Sequence, residues 1–122
     1  MREQPFANRN IIAKSKKRRA RAMQWLWTWG GKCFGYRDSD DLWTSDGKHV
    51  GRFHGEEIYG RDGRYLGELL NDNRLITHRS KSSWRKAGFS PYGRRGAYAR
   101  YANYAGYAMY AGYSDFPSAD RF

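Results

Sequence analysis

Few residues of this chain have types and spacings that could carry out catalysis or bind a metal. The candidates are three histidines, one cysteine and a few acidic runs. His49 and His54 are the two histidines close in sequence, and no cysteine or carboxylate cluster completes a zinc spacing around them. The acidic run at 38–41 lacks the glycine and the glutamate of an EF-hand calcium loop. We therefore expect no metal ion and no cofactor.

The remaining reactive side chains do not predict an enzyme either. Cys33 has no activating neighbour in the sequence, so we interpret it as a structural residue. Glu56 and Glu57 are adjacent, and adjacent side chains of a strand point to opposite faces rather than into one site. No glycine-rich phosphate-binding loop followed by Lys-Ser or Lys-Thr is present. We therefore expect a protein without catalytic activity.

Cations and tyrosines near the two ends indicate binding instead. The chain has a formal net charge of +11. Residues 1–22 contribute +7 from eight bases and one acid, residues 23–73 contribute −3 from six bases and nine acids, and residues 74–122 contribute +7 from nine bases and two acids. The cations could contact phosphates, and the tyrosines could stack on bases. The candidate nucleic-acid contacts are Lys16, Lys17, Arg18, Arg19, Arg94, Arg95, Arg100, Tyr101, Tyr104 and Tyr107.

An internal repeat sets the elements that would position these residues. A unit of sixteen residues occurs three times, at 26–41, 42–57 and 58–73. Each copy starts with an aliphatic and an aromatic residue, and an apolar residue followed by glycine lies in its second half. Such units share one core, because a single small unit cannot bury its apolar face alone. The predicted core residues are Leu26, Trp27, Phe34, Leu42, Trp43, Val50, Ile58, Tyr59, Leu66 and Leu75.

Each copy is typical of a β-hairpin. Asp-Gly in the second and third copies is favoured in two-residue type I′ turns, and Gly-Gly takes that place in the first copy. The predicted turn residues are Gly31, Asp46, Gly47, Asp62 and Gly63. A second glycine series, at Gly35, Gly51 and Gly67, lies within the return strand and predicts a bulge or a close backbone approach.

A fourth copy starts but departs from the pattern. Residues 74–77 restart the aliphatic pattern sixteen residues after Ile58, whereas residues 78–81 stand where the turn is expected. The run from Leu42 to Ile76 resembles the 4-fold beta flower domain, a family of small proteins with four β-hairpin petals around a pseudo-symmetry axis. The resemblance covers about residues 25–78 and implies the petal fold, and no established activity comes with it.

Three segments flank the predicted repeat domain at 25–78. Residues 1–24 form a basic arm that favours helix or disorder, and residues 79–96 form a basic linker. Residues 97–122 form a low-complexity tail in which Ala-x-Tyr repeats with a period of three. Because this period matches neither a strand nor an α-helix, we expect a disordered segment or an extended strip laid over another surface.

We therefore predict an all-β protein, with tandem β-hairpin repeats in a flower or propeller-like ring, a basic helical or disordered N-terminal arm and a low-complexity Tyr-rich C-terminal tail. We expect a non-catalytic interaction or assembly module that binds a protein partner or itself. The alternative is a nucleic-acid-binding protein. Basic arms folded onto the acidic repeat would favour assembly. One cysteine, no secretory signal and no apolar run long enough to span a membrane predict a cytoplasmic protein.

Overall fold

The computed structural model describes residues 23–122, and short strands form most of its regular structure. The strands are β1 (Gln24–Thr28), β2 (Cys33–Asp38), β3 (Asp41–Thr44), β4 (His49–His54), β5 (Glu57–Tyr59), β6 (Tyr65–Leu70), β7 (Arg74–His78) and β8 (Tyr113–Asp115). Two single-turn 3₁₀ helices, Arg79–Lys81 and Ala119–Arg121, are the helical elements of the described residues. The predicted basic arm, with Lys16, Lys17, Arg18 and Arg19, lies outside the described residues except for its last two positions.

The strands form one sheet that closes on itself. Consecutive strands pair antiparallel from β1 to β8, and β1 also pairs in parallel with β7, which closes β1 to β7 into a barrel. The register repeats through the first three hairpins, where Leu26, Leu42 and Ile58 each lie opposite a glycine. The predicted all-β hairpin-repeat fold is thus confirmed.

The glycines of the return strands lie at a bulge and at a close backbone approach. A register shift follows the aliphatic residue in each of the three hairpins, after Leu26, Leu42 and Ile58. A Cβ atom at Gly35 would collide with the carbonyl oxygen of Trp43 on the neighbouring strand. A Cβ atom at Gly67 would likewise meet the carbonyl oxygen of Ile76, so a side chain at either position would push adjacent strands apart. At Gly51 the nearest atom belongs to the Ile58 side chain instead.

The hairpin turns differ from the predicted type I′ turns. The Gly47 N–H donates to the Thr44 carbonyl at 3.0 Å, and the Thr44 N–H donates to the Lys48 carbonyl at 2.9 Å. Three residues thus separate the closing pair, and Gly47 takes a φ of +95° whereas Asp46 is not among the described residues with positive φ. This is a type I turn followed by a glycine bulge, in which only the third loop residue needs positive φ. The type I′ prediction is wrong because it assigned two residues to a three-residue loop.

A distant strand completes the fourth hairpin. β7 pairs with β8, which follows the long excursion through residues 79–112. The turn before β7 holds three residues instead of two, so Leu75, and not Arg74, takes the inner position that Ile58 has in the third hairpin. The fourth copy therefore starts seventeen residues after the third, and its return strand could not be found next to it in the sequence.

The core has an inner apolar cluster and an outer aromatic layer. The inner cluster consists of Leu26, Phe34, Leu42, Phe53, Ile58, Leu75 and Phe116. Trp27, Trp43 and Tyr59 are also buried, but they lie outside this cluster. Val50 and Leu66 are only partly buried and pack against the inner cluster. All ten predicted core residues thus pack in or against the barrel. Of the inner cluster, the predicted set lacks Phe53 and Phe116.

Candidate functional site

Residues 84–112, which we call the belt, cross the tips of the first three hairpins with no helix or strand among them. The N–H groups of Lys86, Arg95 and Tyr104 donate to the carbonyls of Gly63, Gly47 and Gly31 at 2.8, 2.9 and 2.8 Å. A second series donates three residues later: Phe89 to Arg61, Tyr98 to Ser45 and Tyr107 to Trp29, at 3.0, 2.8 and 3.1 Å. From one hairpin to the next, the donor lies nine residues later in the chain and the acceptor sixteen residues earlier. Nine residues of the belt, the length of three Ala-x-Tyr triplets, therefore correspond to one hairpin.

Buried indoles support the tyrosines of the belt. The Trp27 ring stacks on Tyr104 with centroids 4.0 Å apart and an interplanar angle of 16°. Trp29 packs against Tyr107 and Tyr110, with centroids 4.9 and 5.4 Å apart. The indole N–H groups of Trp27 and Trp29 donate to belt carbonyls at 3.0 and 2.9 Å. These contacts fix the ring positions, since each indole meets both a ring and the main chain.

The outer surfaces of these rings face solvent. Five tyrosines have exposed fractions between 46% and 55%: Tyr98, Tyr101, Tyr104, Tyr107 and Tyr110. We call this surface the tyrosine face. The predicted base-stacking residues Tyr101, Tyr104 and Tyr107 all belong to it, and each uses part of its surface on a tryptophan. The structure thus brings together tyrosines that the sequence spaced three residues apart.

Arg74 is a buried cation that holds the middle of the belt. Its guanidinium donates to the carbonyls of Trp29 and Ala105 at 3.1 and 2.8 Å, and it lies 4.1 Å from the ring centroid of Tyr107. Only 3% of the residue is exposed. Main-chain carbonyls and a ring face therefore take the place of a carboxylate partner. Sequence analysis missed this role, although the sixteen-residue spacing places Arg74 in line with the aliphatic residues Leu42 and Ile58, which was the available signal.

Two predicted phosphate contacts are paired with carboxylates of the repeat. Arg95 pairs with Asp38 at 2.8 Å and lies 3.8 Å above the Trp43 ring. Arg94 pairs with Asp46 at 3.1 Å. The C-terminal basic segment thus folds onto the acidic repeat of its own chain. Arg100, the third predicted contact in the described part, lies beside Tyr101 instead.

A polar cluster joins β5 and β6 to the first 3₁₀ helix. The Lys81 ammonium lies between Glu57 and Glu68, at 2.9 and 2.8 Å from their carboxylate oxygens. The Tyr59 hydroxyl donates to Glu57, and the Tyr65 hydroxyl donates to Glu68. Burial and the Glu57 carboxylate raise the pKa of Tyr59 to about 12, and burial together with Glu68 raises the pKa of Tyr65 further. All five groups are mutually engaged, so the cluster ties the first 3₁₀ helix to the barrel.

His49 is fixed as a neutral ring inside the barrel wall. Its Nε2 contacts the Asp41 carboxylate at 2.9 Å, and its Nδ1 accepts the Tyr92 N–H at 3.0 Å. Burial lowers the pKa of His49, although Asp41 acts in the opposite direction. Cys33 takes the equivalent place in the first hairpin, where burial raises the pKa of its thiol. Neither side chain has the free neighbours that acid–base or nucleophilic catalysis needs.

The geometry of the described residues can be set beside known proteins. Among residues 23–122, no group of three or more histidine, cysteine or acidic side chains could hold a metal ion, and no helix is long and apolar enough to cross a membrane. No curated protein and no solved structure matches the chain. The profile of the 4-fold beta flower protein matches residues 10–94, which include β1 to β7 and the start of the belt. That family describes a small β-domain and brings no established activity. The chain belongs to the 4-fold beta flower family.

Proposed function

We propose that the protein is a non-catalytic assembly module whose tyrosine face docks on a second copy of the chain. The observation that carries this proposal is the row of five half-exposed tyrosines that pack on the partly buried indole of Trp25 and the buried indoles of Trp27 and Trp29. Tyrosine is enriched in protein interfaces because its ring offers a large contact area with few rotatable bonds. Rings already fixed in the free protein lose little further entropy on binding.

The opposite ends of the strands supply a complementary surface. The turns between hairpins carry Asp40 and Glu56, which share the Arg37 guanidinium at 3.2 and 3.8 Å but keep 75% and 69% of their side chains exposed. Asp72 is also exposed. The belt lies at the hairpin tips, and residues 79–114 contain no acidic residue. A tyrosine face could therefore meet the acidic turns of a neighbouring copy in a head-to-tail contact.

A catalytic function has less support than assembly. The His49 ring has both nitrogens engaged, and Lys81 occupies the carboxylates of Glu57 and Glu68. A general acid or base must reach a substrate proton, and these groups reach only each other. We therefore propose that the barrel presents surfaces rather than reactive side chains.

Sedimentation velocity of the full chain over a wide concentration range tests the proposal. We expect the weight-average mass to rise with concentration. The double substitution Tyr101→Ser and Tyr107→Ser should abolish this rise, while Tyr101→Phe and Tyr107→Phe should retain it because the rings remain. The double substitution Asp40→Asn and Glu56→Gln should also abolish it.

Mixing the two defective variants provides the decisive control. Each variant keeps one intact end, so an equimolar mixture should form heterodimers and nothing larger. A wild-type chain that remains a monomer at every concentration would contradict the proposal. A mixture that stays monomeric while the wild type associates would rule out the head-to-tail arrangement.

Nucleic-acid binding is the second candidate function, and one feature favours it. Lys32, Arg100, Tyr101 and Asn103 line a concavity of about 520 Å³ beside the tyrosine face. A base could stack on the ring while a phosphate meets the two cations. For a labelled single strand and a labelled duplex, the logarithm of the binding constant should then fall linearly with the logarithm of the salt concentration. Lys32→Gln and Arg100→Gln should reduce that slope, and absence of binding at low salt would remove this candidate.

A further inference from the structure

A cavity of about 600 Å³ lies between the second and third hairpins, apart from the tyrosine face. Val50 and Leu66 of the barrel form part of its wall, and Pro91 and Phe122 also line it. Cavities of this size hold small organic molecules in many proteins. None of its lining residues belongs to the tyrosine face, so its occupant can be tested separately from assembly.

The second residue of the return strand differs in size among the first three hairpins, and this difference leaves room for the cavity. Phe34 stands there in the first hairpin, and Phe116 directly follows β8 in the fourth. Both are buried, and their rings pack 5.7 and 6.3 Å from the ring of Phe122. Val50 and Leu66 stand at this position in the second and third hairpins and stay partly exposed. Two smaller aliphatic side chains therefore leave the space that two phenylalanines fill on the other side.

Positive charge surrounds the apolar wall. Lys48, Arg61 and Arg94 line the cavity, against the single acidic residue Asp62. Lys48 donates to the main-chain oxygen of Phe122 at 2.8 Å, and Arg94 pairs with Asp46 outside the cavity. The Arg61 side chain makes no ion pair or hydrogen bond with any residue between 23 and 122. Arg61 thus offers a cation for an anionic group.

We propose that this cavity binds a small amphipathic anion, with a flat apolar body against Val50 and Leu66 and an acidic head group at Arg61 and Lys48. Binding of an apolar body to the half-buried aliphatic wall is favourable in free energy, because water leaves both apolar surfaces. A carboxylate, sulfonate or phosphate suits the head position because cations outnumber acids there. Tyr92 lies at the same cavity and offers a ring to the body of the ligand.

Fluorescence titration with 1-anilinonaphthalene-8-sulfonate tests the site, because this probe combines aromatic rings with a sulfonate. We expect saturable binding of one probe per folded chain. N-phenyl-1-naphthylamine, which lacks the sulfonate, should bind about tenfold more weakly. The double substitution Tyr101→Ser and Tyr107→Ser should leave probe binding unchanged, which separates this site from the proposed assembly surface.

Substitutions taken from the repeat itself provide the sharpest variants. Val50→Phe introduces the residue that the first hairpin carries at the same position, and it should lower probe affinity about tenfold or more by filling the cavity. Leu66→Phe serves as a second filling variant if Val50→Phe disturbs the near-ultraviolet circular dichroism. Arg61→Gln should weaken binding several-fold, whereas Arg79→Gln, which removes a cation outside the cavity, should not.

Three results would overturn the inference. The first is no saturable binding by the wild-type chain. The second is unchanged affinity in a folded filling variant, since the probe would then bind elsewhere. The third is an equal loss of affinity in Arg61→Gln and Arg79→Gln, which would indicate attraction to net charge alone.

Discussion

At the scale of single residues, the repeat uses one position for three different side chains. Cys33, His49 and Tyr65 each start a return strand opposite an aromatic residue of the preceding strand. The His49 ring packs against Trp43 and Tyr92, with its centroid 5.0 Å from each. The position therefore serves packing against the aromatic layer, and its chemical variety does not indicate catalysis.

His49 should make the stability of the protein depend on pH near neutrality. Burial holds its pKa below the ordinary value, and protonation of Nδ1 would break the hydrogen bond from the Tyr92 N–H. The unfolded chain takes up the proton first, so the free energy of unfolding should fall as pH drops from about 7 through about 6.5. The fall should end once the pH lies below the pKa of the folded state.

Urea unfolding at a series of pH values measures this effect. His49→Gln should flatten the profile in this window, because glutamine does not titrate there. Glu57 and Asp46 also have lowered pKa values, from Lys81 and from the Thr44 hydroxyl respectively. Their stabilisation is lost only as pH falls through about 4, since carboxylates protonate there. A wild-type profile that is level from neutrality to about pH 5 would contradict the role of His49.

Lys81 should contribute to stability mainly by neutralising two carboxylates. Lys81→Met leaves Glu57 and Glu68 without their shared cation, which should cost about 2 kcal/mol at neutral pH. The cost should shrink in acid, where the carboxylates become neutral. Arg64→Met is the matched control, because Arg64 and Asp62 are exposed and 4.0 Å apart, and such pairs contribute little. Equal losses for the two variants in thermal unfolding would refute the distinction.

At the scale of elements, the hairpin tips and the belt depend on each other. Gly31, Gly47 and Gly63 have positive φ, and a Cβ on any of them would collide with a belt carbonyl oxygen. The glycine thus satisfies the turn and also lets the belt approach closely enough for its hydrogen bonds. The belt gains its conformation from these tips, because it forms no helix or strand of its own.

Replacing tip glycines should separate these two roles. Gly47→Ala combines an unfavourable φ with a collision against the Arg95 carbonyl, and we expect a loss of about 3 kcal/mol. Gly55→Ala also has a positive φ, of +66°, but open space around it, so we expect a loss of about 1 kcal/mol. Chemical denaturation gives both values. Similar losses in the two variants would mean that belt contact adds nothing at this tip.

The sequence predicted hairpins well because their signals are local. The turn glycines and the Gly35 series each depend on neighbours a few residues away, and the same pattern recurs every sixteen residues. The fourth hairpin was not predictable in the same way, since one inserted turn residue and the distant strand β8 complete it. For the Ala-x-Tyr segment the sequence left two alternatives, a disordered segment or an extended strip over another surface, because its period matches neither a strand nor an α-helix. The structure lays this segment over the hairpin tips, and the sequence did not indicate which surface it would cover. An extended chain with three residues per turn places every third side chain on one face, as the tyrosine face requires.

For the candidate site, the sequence identified residue types correctly but did not show which residues they contact. Composition alone selected Tyr101, Tyr104 and Tyr107, but it could not pair them with the indoles of β1 and its turn. Arg94 and Arg95 looked available for phosphates in the sequence, and the fold pairs them with Asp46 and Asp38. Such pairings join residues far apart in the chain, so local patterns do not reveal them.

At the scale of the whole molecule, the barrel and the C-terminal segment form one structure. Phe116 belongs to the inner cluster, and Ala119 and Phe122 pack against it. The belt covers the outer aromatic layer, so its removal would expose Trp27, Trp29 and Trp43 to water. A core of this size has little stability in reserve, because small domains bury a modest fraction of their surface. The repeat alone is therefore not expected to be an independent domain.

Truncation and complementation test this dependence. A chain that ends at residue 83 lacks the belt, β8 and Phe116, and we expect it to show neither cooperative thermal unfolding nor a fixed near-ultraviolet circular dichroism signal. A separate peptide of residues 84–122 should restore both signals when added, because the belt binds the tips through a regular series of main-chain hydrogen bonds. The same peptide with Phe116→Ala should restore less stability, by about 3 kcal/mol or more, since it leaves a cavity in the inner cluster. Cooperative unfolding of the truncated chain alone would show instead that β1 to β7 hold the barrel closed without help.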